Sequence, residues 1–258
     1  MQQEITRADH PLIKQTASLK EKKYRERFGE FLVEGELSVL WALQSSYVIN
    51  TVFYADDYTL PQQISENLVD IPTYRVPTHL LAKMADTKTP QGIVCTCAFR
   101  ETPPLPQKGR FIYCDQVRDP GNLGSILRSA DALGYDGVML SPLCVDPFNP
   151  KLVRSTMGSL FHISLYTDID LESLKTMQKG GFQLAVSSLT ETSISLGDFA
   201  PEENLIIVVG NESKGVSKPV TEAADVVVKI PMAGSAESLN VAAAAAILMY
   251  EANAGRLS

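Results

Sequence analysis

Five polar residues fall where this chain could do chemistry. Asn122 and Arg128 lie in NLGSILR, Glu212 lies in VVGNESKG, and Ser238 and Asn240 open SLNVAAAAAI. Each segment sits next to an apolar run with strand character and leads into a helical pattern. Small residues at a strand end let a ligand approach the backbone closely, and helix entrances expose free amides. Several familiar loops are absent. GNESKG, 210–215, has the glycine spacing of a phosphate loop, but Val216 stands where a lysine would have to reach phosphate. PGNLGS supplies only Gly121 and Gly124, so no GxGxxG dinucleotide fingerprint exists, and no GxSxG elbow accompanies the histidines. Four cysteines without a CxxC pair and three histidines argue against a metal site.

The elements that must position these residues can be read on either side of ETPPLPQKGR, residues 101–110, whose prolines exclude a helix or central strand. The spacing predicts a small α/β domain over 1–100: a basic helix at 11–28, a strand FLVEG with a helix to 44, and strands at 51–55 and 92–99. Over 111–258 it predicts strands at 111–115, 137–141, 162–166, 182–188, 204–210 and 225–231. Helices are expected between them at 122–133, 151–159, 170–179 and 216–223, with a last one at 238–252. That alternation is the pattern of an α/β fold with a mostly parallel sheet, which binds ligands beyond the carboxyl ends of its strands. Leu123, Ile126, Leu127, Ala130 and Leu133 form one apolar helix face, with Asn122 at the helix entrance as the expected cap and Arg128 on the opposite side.

Charge is distributed unevenly. Residues 1–100 carry 11 basic and 12 acidic groups, and residues 101–258 carry 12 and 18. Bulk charge therefore does not draw this chain to nucleic acid, but a local surface can. Lys14, Lys20, Lys22, Lys23, Arg25 and Arg27 cluster near the N-terminus, and Arg154 stands in the second half with Lys214 and Lys218. No run of 18 apolar residues and no secretory signal is present, and the cysteine usage suits a reducing compartment, so the expected location is cytoplasmic.

Taken together and in this order, NLGSILR, VVGNESKG and IPMAGSAESLNVAAAAAI resemble the three signature motifs of the SpoU/TrmH family of RNA ribose methyltransferases. HPLIKQTASLKEKKYRERFGEFLVEGE (10–36) and TPQGIVC (89–95) resemble the ribosomal L30-like substrate-binding domain that precedes the catalytic domain in many members. The resemblance implies an α/β-knot catalytic domain, a trefoil-knotted exception to unknotted chains. It implies S-adenosylmethionine held by Ser188, Leu189, Gly210, Asn211, Glu212, Gly215, Ile230, Met232, Ser238 and Leu239, with no metal. Catalysis would rest on Arg128 with Asn122, Glu212, Ser238 and Asn240. The partners implied are RNA and a second copy of the chain in a homodimer. In the family's chemistry Arg128 takes the ribose proton. A bidentate hold on a neighbouring phosphate is the alternative, and the residues alone leave both open. No basic extension flanks the two domains, which favours ribosomal RNA over tRNA. The competing readings are an RNA-binding protein that kept the fold without the chemistry, and a knotted base methyltransferase.

Overall fold

The computed structural model describes residues 3–255 of the chain, in two compact units. The first unit runs to Glu101 and takes back a later segment, Asp146–His162. Its sheet is built from β1 (Gln3–Glu4), β2 (Glu30–Glu34), β3 (Ile49–Ala55), β4 (Thr73–Val76) and β5 (Ile93–Ala98), in the order β1-β4-β3-β5-β2. Strand β5 pairs antiparallel with β2 and β3, while β4 runs parallel to β3 and β1. Helices α1 (Pro11–Ser18), α2 (Lys22–Phe28), α3 (Glu36–Gln44), α4 (Gln62–Ser65) and α5 (Thr78–Met84) come from the same stretch of chain. Ile13, Leu19, Leu32, Phe53, Leu80, Leu81 and Met84 are buried in its core.

The single helix expected over 11–28 is two. Leu19 is fully buried, which turns the chain inward, and Arg25 donates to the Leu19 and Lys20 carbonyls at 2.7 and 2.8 Å. The guanidinium thus satisfies the carbonyls that the break leaves without helical partners. Gly29, at φ +64°, closes α2 with its amide on the Arg25 carbonyl.

The segment Asp146–His162 carries α7 (Pro150–Ser155) and lays Phe148 and Phe161 against Phe31, with ring centroids 4.6 and 6.4 Å away. The domain boundaries read from the linker place this segment with residues 111–258, whereas it clusters with the first unit. The helix expected to 159 stops at Ser155, because Met157 and Gly158 take positive φ, at +51° and +97°.

The second unit is a seven-stranded sheet in which every adjacent pair is parallel. Its strands are β6 (Arg110–Asp115), β7 (Gly137–Leu140), β8 (Ser164–Tyr166), β9 (Gln183–Ser187), β10 (Ile194–Ser195), β11 (Leu205–Gly210) and β12 (Val226–Lys229), in the order β10-β12-β9-β11-β6-β7-β8. Helices α6 (Pro120–Ala132), α8 (Leu171–Lys179), α9 (Lys218–Glu222) and α10 (Val241–Asn253) belong to it. The continuous apolar runs of β6 and β11 are buried along their whole length, as a sheet covered on both faces requires. The chain builds outward from β6 to β8, then places β9 two positions to the other side. Strand β11 later fills the gap between β9 and β6, and β12 fills the next between β10 and β9. The carboxyl ends of β9, β11 and β12 therefore lie side by side.

Helix α10 is fixed over the sheet at its far end. Arg110 donates to the Ala252 carbonyl and to Asn253 Oδ1 at 2.7 Å, and Asn253 Nδ2 donates to the Leu133 carbonyl at 2.7 Å. Tyr135 Oη reaches the Met249 carbonyl at 3.2 Å. Among the described residues, no helix is long and apolar enough to cross a membrane.

Candidate active site

A cavity of about 590 Å³ opens beyond the carboxyl ends of β9, β11 and β12. Ser188 and Leu189 approach it from β9, Gly210 to Ser213 and Gly215 from β11, and Ile230 and Met232 from β12. Glu237 to Val241 close it at the start of α10. All ten residues expected to hold the cofactor line this one space. Leu189, Met232 and Leu239 are large apolar side chains left 70%, 38% and 36% exposed, and their backbone amides make no hydrogen bond among the described residues. Apolar walls with free amides at the edge suit a flat heteroaromatic ring with polar edges. The cavity lies within the few-hundred-Å³ range of cofactor pockets, so its volume and lining fit S-adenosylmethionine.

The β11 loop is shaped by its own backbone. A Cβ built on Gly210 would lie 2.1 Å from the Gly215 carbonyl carbon and 2.2 Å from the Val216 nitrogen. Glycine is required there by the returning chain, where the sequence suggested room for a ligand. Asn211 and Gly215 exchange both backbone hydrogen bonds, at 3.0 and 2.9 Å, and Gly215 turns at φ +70°. Asn211 Oδ1 accepts from the Ser213 and Lys214 amides, and its Nδ2 donates to the Gln116 carbonyl at 2.9 Å. Asp115, buried at the end of β6, accepts from the Ser217 amide at 2.7 Å. Sequence reasoning missed Asp115 and Gln116; an acidic residue closing an apolar strand was the available signal.

Four of the five candidate catalytic residues come together. Glu212 Oε1 accepts from the Asp119 amide and from Asn122 Nδ2, both at 3.0 Å, and Oε2 accepts from the Arg118 amide at 3.4 Å. Asn122 Oδ1 accepts from Asn240 Nδ2 at 2.9 Å. Asn240 Oδ1 in turn caps α10 on the Ala242 and Ala243 amides. Ser238 lines the cavity two residues before Asn240. Partial burial works to raise the Glu212 pKa, but the hydrogen bonds from Asn122 and from the Asp119 and Arg118 amides outweigh it and hold the carboxylate below its ordinary value. The expected cap role of Asn122 passes to Asp119, whose carboxylate accepts from the Asn122 amide at 2.8 Å with Pro120 in the first helical position. Asn122 is thereby freed to bridge the loops. Arg128 is not part of this cluster. It stands on the exposed face of α6 with Ser125 and Ala132, about 9 Å further along the axis than Asn122, and pairs with no group among the described residues.

The basic residues expected on an RNA surface divide. Arg25 is 2% exposed and ion-paired to Asp146 at 2.5 Å, so it is structural. Arg154 is paired with Glu34 and with Asp86 at 2.9 Å, so it is no free cation for a phosphate. Lys20 caps the end of α5 through the Lys83 and Ala85 carbonyls. Lys14, Lys22, Lys23 and Arg27 remain exposed. On α2 the rings of Tyr24 and Phe28 stack 6.4 Å apart, with Lys23 over the first and Arg27 over the second.

Comparison with known proteins agrees with this geometry. Residues 109–250 match the SpoU rRNA Methylase family, and residues 10–95 match the MRM3-like substrate binding domain. The 23S rRNA (guanosine(2553)-2'-O)-methyltransferase RlmP of Bacillus subtilis is 33% identical over 96% of this chain and 98% of its own. The 23S rRNA (uridine(2479)-2'-O)-methyltransferase of Streptomyces viridochromogenes is 30% identical over 94% of this chain and 88% of its own. Among solved structures, the AdoMet-bound rRNA methyltransferase from Sinorhizobium meliloti superposes with a TM-score of 0.89 at 32% identity, covering 99% of both chains. The cofactor complex of AviRb from Streptomyces viridochromogenes gives 0.84 at 29% identity, over 96% of this chain and 99% of that one. With residues 109–250 matching the family model and relatives similar over nearly the whole length, this chain belongs to the SpoU rRNA methylase family.

Proposed function

We propose that this protein transfers a methyl group from S-adenosylmethionine to a ribose 2'-hydroxyl of ribosomal RNA, acting as a homodimer in the cytoplasm. The observation that carries the reading is the convergence of ten candidate cofactor residues on one cavity, next to the Glu212–Asn122–Asn240 chain of hydrogen bonds. The order in which β11 and β12 fill gaps left by earlier strands supports threading of the chain as a trefoil knot.

S-Adenosylmethionine, when bound, supplies a methyl group made electrophilic by its sulfonium. The protein's part is to place the nucleophile and accept its proton. Leu189, Ile230 and Leu239, which line the cavity, would provide walls for the adenine, and the loop amides would meet its edges. Glu212 and Asn240 hold the loops after β11 and β12 against the first turn of α6, so the cavity keeps its shape as substrate enters. Arg128 keeps its planar set of N–H donors for an oxyanion. Because a guanidinium gives up its proton only far above neutral pH, Arg128 grips the phosphate beside the target ribose, and phosphate or water takes the hydroxyl proton.

The direct test is mass spectrometry of ribosomal RNA nucleosides from a strain lacking the gene. One 2'-O-methyl mark should be missing, and purified protein with S-adenosylmethionine should restore it. Calorimetry on the same protein should show one cofactor per chain without added metal, and Leu239→Trp, which fills the cavity, should abolish that binding. An unchanged set of ribose methylations with intact cofactor binding would favour an RNA-binding role without chemistry.

A further inference from the structure

The first unit carries a second, smaller cavity of about 220 Å³ at the start of α3, between the β2–α3 junction and the loop leading into β5, with Arg154 and Met157 on one side. Its floor is built. Glu34 is buried and accepts from the Asp86 and Thr87 amides at 3.1 and 3.4 Å and from the Thr87 hydroxyl at 3.2 Å, in addition to its ion pair with Arg154. Gly35 stands at φ +93°, where a Cβ would come within 2.7 Å of Gln91 Oε1, and that oxygen accepts from the Glu36 amide at 3.3 Å.

Against this satisfied floor, three polar ends facing the cavity are unused. Ser38 is 8% exposed, and its hydroxyl, open to solvent at the cavity, has no protein partner among the described residues. Thr89 and Gln91 are exposed at the cavity mouth, and the Thr89 hydroxyl and Gln91 amide nitrogen have no protein partner among the described residues. The rim is apolar, with Leu37 and Met157 43% and 49% exposed. Met157 is held in place by a strained turn. Its own φ is +51°, and Gly158 after it could not bear a Cβ, which would sit 2.3 Å from the Trp41 ring.

These features select the occupant. The two charged residues that line the cavity, Glu34 and Arg154, are paired with each other, and Arg154 also with Asp86, so no free cation remains there to hold a phosphate. The cavity falls below the size of a whole-cofactor pocket. A flat, neutral group with polar edges and apolar faces remains, and unpaired RNA bases are recognised by just such edge hydrogen bonds and face contacts. We propose that this pocket seats one unpaired nucleobase of the RNA substrate, its edge on Ser38, Thr89 and Gln91 and its faces against Leu37 and Met157. The proposal rests on RNA being the substrate and adds a base-capture site to the N-terminal unit.

The test uses the full chain and fluorescence anisotropy with two probes of equal length: an oligouridine and an abasic ribose-phosphate oligomer. Thr89→Val with Gln91→Leu should weaken oligouridine binding about tenfold, the value of one or two net hydrogen bonds, and leave the abasic oligomer unchanged. Ser38→Leu, which fills the pocket from its buried side, should do the same. Melting curves and S-adenosylmethionine binding verify that each variant is folded. An equal loss on both probes, or no loss on either, overturns the proposal; the second outcome would point to a protein partner for this pocket. Methyl transfer by the unaltered chain is measured in the same preparations. Its absence alongside an intact base-specific loss would overturn the methyltransferase reading and leave the pocket standing.

Discussion

Glu212 shows how one side chain can tie two loops together at the edge of the cavity. Its carboxylate joins the β11 loop to the first turn of α6 through the Asp119 amide and Asn122, and those bonds lower its pKa against the opposing effect of burial. A carboxylate with a depressed pKa contributes stability that is complete above its unfolded value and is lost as pH falls through its folded value. Because the folded-state carboxylate stays ionised through the ordinary glutamate range, cofactor affinity should stay level from neutral pH down through that range and fall only below it. Glu212→Gln should bind more weakly at neutral pH and lose that acid limb, as read by calorimetry across pH. Arg128 makes the contrasting case, since it forms no hydrogen bond or ion pair among the described residues, which leaves its guanidinium available for the substrate role proposed above. Arg128→Ala should lower methyl transfer by at least about 10²-fold while leaving cofactor affinity and melting temperature unchanged. Arg128→Lys should recover little, because an ammonium lacks the planar fork. Full activity in the lysine variant would show that positive charge alone is enough.

At the scale of elements, α2 is where sequence and structure part most usefully. Its basic residues were legible, but the burial of Arg25 was not, because its partner Asp146 lies 121 positions away in sequence. Arg154 was taken out in the same way, through Glu34 and Asp86. Local patterning carries no information about such pairings. The long strands of the parallel sheet were legible because each is a continuous apolar run. The two-residue strands β1 and β10 and the four-residue β4 were too short to show a period. The cavity itself was legible because its walls are strand-end loops, whose composition reflects local geometry. What remains on α2 is an exposed face on which Lys23 and Arg27 lie over two stacked rings with Lys22 beside them. Its pairs, Lys22–Glu26 and Lys23–Glu21, are solvent-exposed and weak, so the surface suits backbone charge and bases together. Reversing these three charges should weaken RNA binding and reduce the log–log salt slope by about 2, as fewer counterions are released. Cofactor binding should be untouched. An unaltered slope would place the RNA path on the second unit.

At the scale of the whole molecule, the question is why α10 keeps an apolar face in water. Ala243, Ile247 and Tyr250 recur at helical spacing on one exposed side, while Ala245, Leu248, Met249 and Ala252 are buried toward the sheet and α6. The inner face is fully used within the chain, and its far end is fixed by Arg110 and Asn253. The outer face has no such partner among the described residues, and the small side chain at Ala243 lets another helix approach closely. Arg128 lies on the exposed face of α6, the helix packed beside α10, yet outside the polar cluster of its own chain. A two-fold contact through this side would cover Ile247 and Tyr250 and bring each Arg128 toward the site of the other subunit. Arginine at Ala243 or Ile247 should therefore lower dimer content and methyl transfer together, with S-adenosylmethionine binding retained. Ala245 does not serve this purpose, because it is fully buried within the chain and an arginine there would disrupt α10 packing itself. Light scattering at a series of concentrations, paired with activity, gives the reading. A fully active monomer would remove the interface from the mechanism and require Arg128 to reach substrate within its own subunit.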